Sequence, residues 1–350
     1  MSLIWTRHDL HYHGAGLWPL WDALNRAYYG GHPMLDSRFV AKLIDYFPSP
    51  HGIEVLSGHA DGDCTALMLV MSPSPVITRA YKPSQAQLSL TLLPPGAVLS
   101  PPSLLRTFPA FVARLDFYSL DSKYHTGLIR ADGPERQLSA VNIAIDVHGT
   151  FDAYWCARPK NLRKNISRYR NRLDRECGSC TLRITTAAAD MRAAVARYGF
   201  IESRGWKGRS GTAIHPGNRQ GNFYRDVMTD LAASGQAIVF ELVLDSEVVA
   251  SRLCIYNDDL LIILKTTFDE DYRKYAVGRI LLHDTIQYVF EHKLSSTIDF
   301  YTGATKEQQD WATQCREMYH LSVYRPALAA PARKVAGVRQ RLREFAARRA

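Results

Sequence analysis

The stretch YRKYAVGRILL (residues 272–282) sets Arg273 and Lys274 side by side, follows them with Tyr275, Ala276, Val277 and Gly278, and then turns apolar. Ile280, Leu281, Ile286, Val289 and Phe290 supply the buried side of a helix that starts at these small residues. The first N–H groups of a helix lack intrahelical acceptors and carry partial positive charge. Small residues let a ligand approach those amides, and the two cations add to the field. Such a start suits a pyrophosphate. The alternative is a basic, glycine-marked helix start with no ligand.

Other reactive side chains are weighed against this stretch. Cys177 and Cys180 form C-x-x-C, but no second ligand pair or redox context accompanies them, and a Cys-Gly pair sits where a helix should stop; a structural turn is expected. His8, His11 and His13 lack a carboxylate arrangement that would complete a metal site, so no metal is expected. Neither a G-x-S-x-G elbow nor a P-loop lysine motif occurs, which leaves triad hydrolysis and NTP hydrolysis without support. Glu202, Glu241, Asp299 and Tyr301 are the groups left for proton transfer.

The elements that must position these groups follow from periodicity. Residues 1–150 alternate helix and strand: LWPLWDALNRAYY and MLDSRFVAKLIDYF have helical spacing, GIEVLSGHA and CTALMLVMS read as a hairpin across DGD, and SAVNIAIDV reads as a strand. SLLRTFPAFVARL reads as a helix bearing a proline or restarting at it. From residue 151, PKNLRKNISRYRNRLDREC places Leu162, Ile166, Tyr169 and Leu173 on one stripe, with Pro159 at its start and Gly178 at its stop. A strand (TLRITT) and two helices lead to QAIVFELVLD, EVVASRLCIYN and DLLIILKTTF, a meander joined by short polar turns, and then to the helix after Gly278 and the strand STIDFYTG. The fold class is α/β with mixed sheets. No repeat shows in the sequence, although the halves could be distant structural duplicates.

Composition bounds the partners. An apolar fraction of 46% supports real cores, no apolar run reaches 18 residues, and the N-terminus lacks signal-peptide character. Six scattered cysteines fit a reducing, cytoplasmic setting. A net charge of +9 favours anionic partners. The cationic helix 158–175 reads as a solvated face or as a contact for coenzyme phosphates, an anionic acceptor or tRNA. The tail 327–350 reads as a basic helix that packs on a domain or lies on an anionic membrane surface, which would make the protein peripheral at the inner face of the membrane.

The meander, small-residue loop, amphipathic helix and following strand resemble the core of the GNAT acyltransferases, with Ala276 in place of the first glycine of that family's loop. LRKNISRYRNRL, ESRGWKGRSGTAI, ASGQAIVFELVLDSEVVAS and TIDFYTGATKEQQDWAT occur in the order seen in the CelD-like branch, over roughly residues 150–325. That branch is similar to the FemAB transferases, which pack two GNAT-like domains together. The resemblance implies tandem domains: 1–150 a degenerate GNAT-like copy, 151–326 the acyltransferase domain. It implies an acyl-CoA co-substrate held by Arg273, Lys274, Tyr275, Ala276, Val277, Gly278, Arg279 and Ile280. Backbone around Lys265 and Thr266 would polarise the thioester. Trp206, Lys207 and Glu241 would line the acceptor side, Tyr301 would protonate the leaving thiolate, and Glu202 and Asp299 are candidate bases. The acceptor would be an amine of an amino sugar, a polysaccharide precursor or a lipid. Nucleic acid is the less expected partner, although a FemAB-type transfer from aminoacyl-tRNA and a non-catalytic scaffold remain open.

Overall fold

The computed structural model describes residues 3–10, 16–97 and 101–325. His11, His13 and the expected basic helix at 327–350 lie outside them. The chain forms two compact units, and neither is a contiguous half of the sequence. The first falls within Met1–Tyr29, Pro48–Ser139 and Glu317–Ala350; the second comprises Gly30–Phe47 and Ala140–Arg316.

The first unit holds β1 (Ile4–Asp9), α1 (Leu17–Tyr29), β2 (Glu54–Ala60), β3 (Asp63–Ser74), β4 (Ile77–Ala80), β5 (Thr91–Leu92), α3 (Pro101–Arg106), β6 (Arg114–Asp121), α4 (Thr126–Arg130) and most of β13 (Gln314–Tyr324). Its strands run β1-β2-β3-β4-β6-β13, with β5 on β3. The expected hairpin across DGD is β2–β3. The expected proline-bearing helix is shorter: α3 stops at Arg106 and Pro109 sits in the turn before β6, because proline lacks the N–H that a continuing helix needs and disfavours helical backbone before it. β1 was not legible in the sequence.

The second unit begins with a crossing. Gly30 and Gly31 both adopt φ near +65°, a left-handed pair that side-chain-bearing residues adopt only at a cost. They lead into α2 (Ser37–Tyr46), whose Asp36 side chain accepts from the Arg38 N–H at 2.9 Å. β7 (Glu135–Asp146), α5 (Phe151–Cys156), α6 (Lys160–Cys177), β8 (Cys180–Thr185), α7 (Ala188–Arg204), α8 (Trp206–Arg209) and α9 (Arg219–Ala232) follow. Then come β9 (Ala237–Leu244), β10 (Glu247–Tyr256), β11 (Leu260–Phe268), α10 (Val277–His292), β12 (Thr297–Asp299) and α11 (Lys306–Gln309). Phe39 and Phe47, flanking the buried face of α2, meet Phe223 of α9 edge-on at 5.7 and 5.2 Å.

The strand order here is β8-β9-β10-β11-β12-β7. β9, β10 and β11 are the expected antiparallel meander, β11–β12 is parallel and β12–β7 is antiparallel. The first unit repeats the scheme: β2–β3–β4 antiparallel, β4–β6 parallel, β6–β13 antiparallel. The duplication invisible in sequence is thus plain in topology, and the chain is a tandem of two α/β units with the same strand scheme. The copies differ where chemistry would be done. In the first unit β4 ends at Ala80 and the six-residue α3 stands where the second unit has the sixteen-residue α10.

Each unit has its own core. Ile280, Leu281, Ile286 and Val289 of α10 pack with Leu162, Ile166 and Leu173 of α6 and with alternate residues of β9 to β11. Gly178 (φ 96) ends α6, and Cys177 and Cys180 flank that turn as free thiols, as expected. Among the described residues no helix is long and apolar enough to cross a membrane, and no His/Cys/Asp/Glu group could hold a metal ion.

Candidate active site

Strand alternation divides the second unit's chemistry between two faces of one sheet. Ala250 and Cys254 of β10 and Leu261 and Ile263 of β11 point to α10. Arg252 shares the parity of Ala250 and Cys254. Its guanidinium donates to the Gly278 carbonyl at 3.0 Å and to Thr266 Oγ1 at 2.9 Å. It is 6% exposed, and among the described residues its Nε has no hydrogen-bond partner. Burial pushes it down to about 10, with Cys254 and Tyr198 opposing. No sequence expectation included Arg252; the signal was an arginine at the apolar parity of a core strand.

β11 is longer than its neighbour. The parallel pairing stops at Ile262–Asp299, whereas β11 continues to Phe268. The two strands part there, and the residues beyond Ile262 form an edge that β12 does not cover. A bulge between Leu253 and Cys254 shifts the β10–β11 register, so Lys265 pairs with Leu253 and Thr266 with Arg252. Lys265 and Thr266, expected to act together, therefore face opposite sides.

The loop after β11 is a 3-10 turn, Glu270–Tyr275, and Ala276 in the left-handed region (φ 53) passes the chain into α10. Val277 and Gly278 are the first helical residues. A Cβ on Gly278 would meet nothing closer than Phe268 at 3.4 Å, so the glycine leaves the helix start open instead of relieving a clash. The cations around it have carboxylate neighbours: Arg273 with Glu270 at 3.7 Å, Lys274 with Glu176 at 3.4 Å, and Arg279 with Glu307. Arg273 and Lys274 are surface-exposed and Arg279 is half-buried, and such pairs exchange partners at little cost. Val277, Ile280 and Tyr275 are buried and anchor the loop; the Tyr275 hydroxyl donates to Glu176 at 3.0 Å.

On the opposite face, α7 presents Tyr198 and Glu202. Glu202 is buried and accepts from Tyr198 Oη at 2.9 Å, from the Ile214 N–H at 2.7 Å and from the Lys207 ammonium. The structure thus brings Glu202 and Lys207 together. Trp206 is 58% exposed; its N–H donates to Glu270 at 2.9 Å, which ties the W-K-G element to the loop before α10. The Lys265 ammonium lies 5.5 Å from the Tyr224 ring. Burial, then the charge of Lys207, push Lys265 below its usual range, with Glu202 opposing.

Glu241 is elsewhere on that face. Fully buried on β9, it accepts two bonds from Arg197 at 2.8 and 2.7 Å, with Arg183 at 3.8 Å. Its neighbours are these arginines, and neither Trp206 nor Lys207 is among its partners.

Asp299 and Tyr301 follow the point where the strands part. Asp299 accepts from Asn142 at 2.7 Å, from the Tyr301 N–H at 3.1 Å and from Arg316. These bonds hold Tyr301 at φ 41, a strained conformation for an aromatic residue. Arg316 lies 5.1 Å from its ring. The Tyr301 hydroxyl is 2.8 Å from Nε2 of the buried His32, whose Nδ1 accepts from the Met34 N–H at 3.2 Å. A ring whose Nδ1 accepts carries its proton on Nε2, so His32 donates to the phenol oxygen. His32 is 269 residues away in sequence and carries no motif, so nothing linked it to Tyr301 beforehand.

The outer face of α6 carries a groove of about 750 Å3 lined by Trp155, Arg163, Lys164, Arg168, Arg172 and Arg175. Arg172 lies 5.5 Å from the Tyr275 ring, at the loop before α10.

Residues 160–310 match the family model described as Acetyltransferase (GNAT) domain. Similar solved structures include FemX, at 10% identity and a TM-score of 0.57, covering 91% of this chain and 97% of that one. Another is L-PGS from Bacillus licheniformis, at 13% identity and a TM-score of 0.51, covering 87% and 95%. At such identities the likeness is one of fold. No curated protein matches the chain.

Proposed function

We propose that the GNAT acetyltransferase domain matched over residues 160–310 is an N-acyltransferase, of the CelD-like and FemAB-related kind, that takes an acyl group from a CoA thioester to an amine. The observation that carries this reading is the parting of β11 from β12 beyond Ile262 and Asp299, with the start of α10 beside it. The residues there fit a coenzyme pyrophosphate: an open helix start at Val277 and Gly278, three cations at or near the surface, and the buried charge of Arg252 fixed to the Gly278 carbonyl. In the reaction, amides of the uncovered β11 edge around Thr266 would polarise the thioester carbonyl. Tyr301, receiving a hydrogen bond from His32, has its own hydroxyl proton to give to a leaving thiolate. Asp299 and Glu241, clamped by arginines, act as anchors in this reading, and Glu202 fixes the acceptor wall through Lys207 and Ile214. Six free cysteines fit a reducing cytoplasm.

One observation favours a second reading, transfer from aminoacyl-tRNA: the cationic groove of α6 reaches the same loop. Thermal shift with acetyl-CoA and longer acyl-CoAs, against aminoacyl-tRNA, separates the two. The first reading expects stabilisation by a CoA thioester that Gly278→Glu abolishes without unfolding the protein. Stabilisation by aminoacyl-tRNA alone would replace it with the second.

A further inference from the structure

The acceptor side of the parted strands holds more positive charge than it uses. Lys265 stands three residues past the last β11 residue paired with β12. Its pairing with Leu253 turns the side chain away from α10, to the face where Tyr198, Glu202, Lys207 and Tyr224 meet. Glu202 is committed: its oxygens take the Lys207 ammonium, the Tyr198 hydroxyl and the Ile214 amide. Among the described residues no hydrogen bond or salt bridge reaches the Lys265 ammonium; its neighbour is the face of Tyr224. Two ammonium groups thus share one carboxylate on a half-buried face.

We infer that this site lacks one unit of negative charge, that a carboxylate on the acceptor molecule supplies it, and that Lys265 is the residue that binds it. The acceptor is then an amino acid or a molecule ending in one, in preference to an amino sugar or a lipid amine. The charge count decides between anions. One uncompensated ammonium calls for a monoanion, whereas a phosphate brings nearly two charges and is better met by a helix start and a guanidinium, which lie on the other face with Gly278 and Arg252. Position agrees, because Lys265 lies on the uncovered edge where the amine would meet the acyl carbonyl. Burial raises the value of the contact, since a bond to a charged group is stronger where water is thinned.

This inference rests on the acyltransferase reading, and its test keeps the two apart. With acetyl-CoA as donor and the full-length protein, initial rates are compared for α-amino acids, the same amino acids as carboxamides, and glucosamine. The expected result is a preference of about tenfold or more in kcat/KM for the carboxylate over its carboxamide. Lys265→Gln should raise the KM of the amino acid by a similar factor, leaving the KM of acetyl-CoA and of the carboxamide unchanged. Lys265→Arg, which keeps the charge, should retain the preference. Equal use of the carboxamide or of glucosamine overturns the inference, as does a Lys265→Gln effect confined to acetyl-CoA. If no acceptor is acetylated, the acyltransferase reading is what fails. Calorimetric binding of amino acid against carboxamide, to wild type and Lys265→Gln, then decides the inference alone: a carboxylate preference lost in the variant supports it, and equal or no binding overturns it.

Discussion

At the scale of single residues, Tyr301 is the most constrained side chain of the candidate site. Asp299 holds its N–H, Arg316 covers its ring, and His32 fixes its hydroxyl. A phenol held so tightly at a left-handed φ serves a purpose that packing alone does not require. Tyr301→Phe keeps the ring contacts and removes the proton. It should lower kcat about a hundredfold with little change in either KM, measured by steady-state kinetics. Glu202→Gln should act differently: it removes the buried charge and leaves the partly exposed Lys207 ammonium without its carboxylate, at a cost of about 2 kcal/mol in chemical denaturation. Legibility at this scale was uneven. The loop residues 273–280 announced themselves because cations and small residues before an apolar helix have few uses. Arg252 and His32 did not, since a lone arginine in a strand and a lone histidine before a proline have no spacing to mark them.

At the scale of elements, the helices and the meander were readable because apolar periodicity and turn residues agreed, as at Pro159 and Gly178 around α6. What periodicity could not give was the bulge between Leu253 and Cys254, which takes Lys265 off the face of Ile263 and puts Thr266 on the α10 face instead. A register shift is a property of two strands, and one strand's sequence carries half of it. The entry to α10 supports a stability prediction. Ala276 occupies a left-handed position (φ 53) where glycine has no Cβ penalty. Ala276→Gly should raise the unfolding free energy by up to about 1 kcal/mol and leave CoA binding intact or tighter, read by thermal and calorimetric titration. The α6–α10 contact is pH-sensitive. Burial pushes Asp284 up, but hydrogen bonds from His283 and Arg170 outweigh it and hold the carboxyl below its usual range. A carboxylate whose pKa is depressed by folding contributes its stability above its unfolded pKa, about 4, and loses it as pH falls through the lower folded value. Asp284→Asn should therefore lower the denaturation midpoint at neutral pH, and the difference from wild type should shrink in strong acid.

For the whole molecule, the two-unit tandem could be argued from motif order, but its wiring could not, because nothing local marks α2 as part of the second unit or β13 as part of the first. A chain starting at Phe151 lacks β7 and α2, and with them the partner of β12 and the aromatic cover of Phe223. Such a chain should aggregate or lose activity, since it bares a strand edge and an apolar helix face. A soluble, monomeric and fully active truncation, judged by size-exclusion chromatography and turnover, would refute the need for these segments.

The same wiring bears on how the protein is born. β13, which pairs with β6 in the first unit, is the last described strand to leave the ribosome, after all of the second unit. The first unit therefore cannot finish its sheet until β13 has been made, and β6 must wait through nearly two hundred residues of synthesis for its neighbour. The unit made first is completed last. Folding of each unit as its own stretch emerges is thus closed to the first unit, whereas the second has all its segments once Arg316 is made.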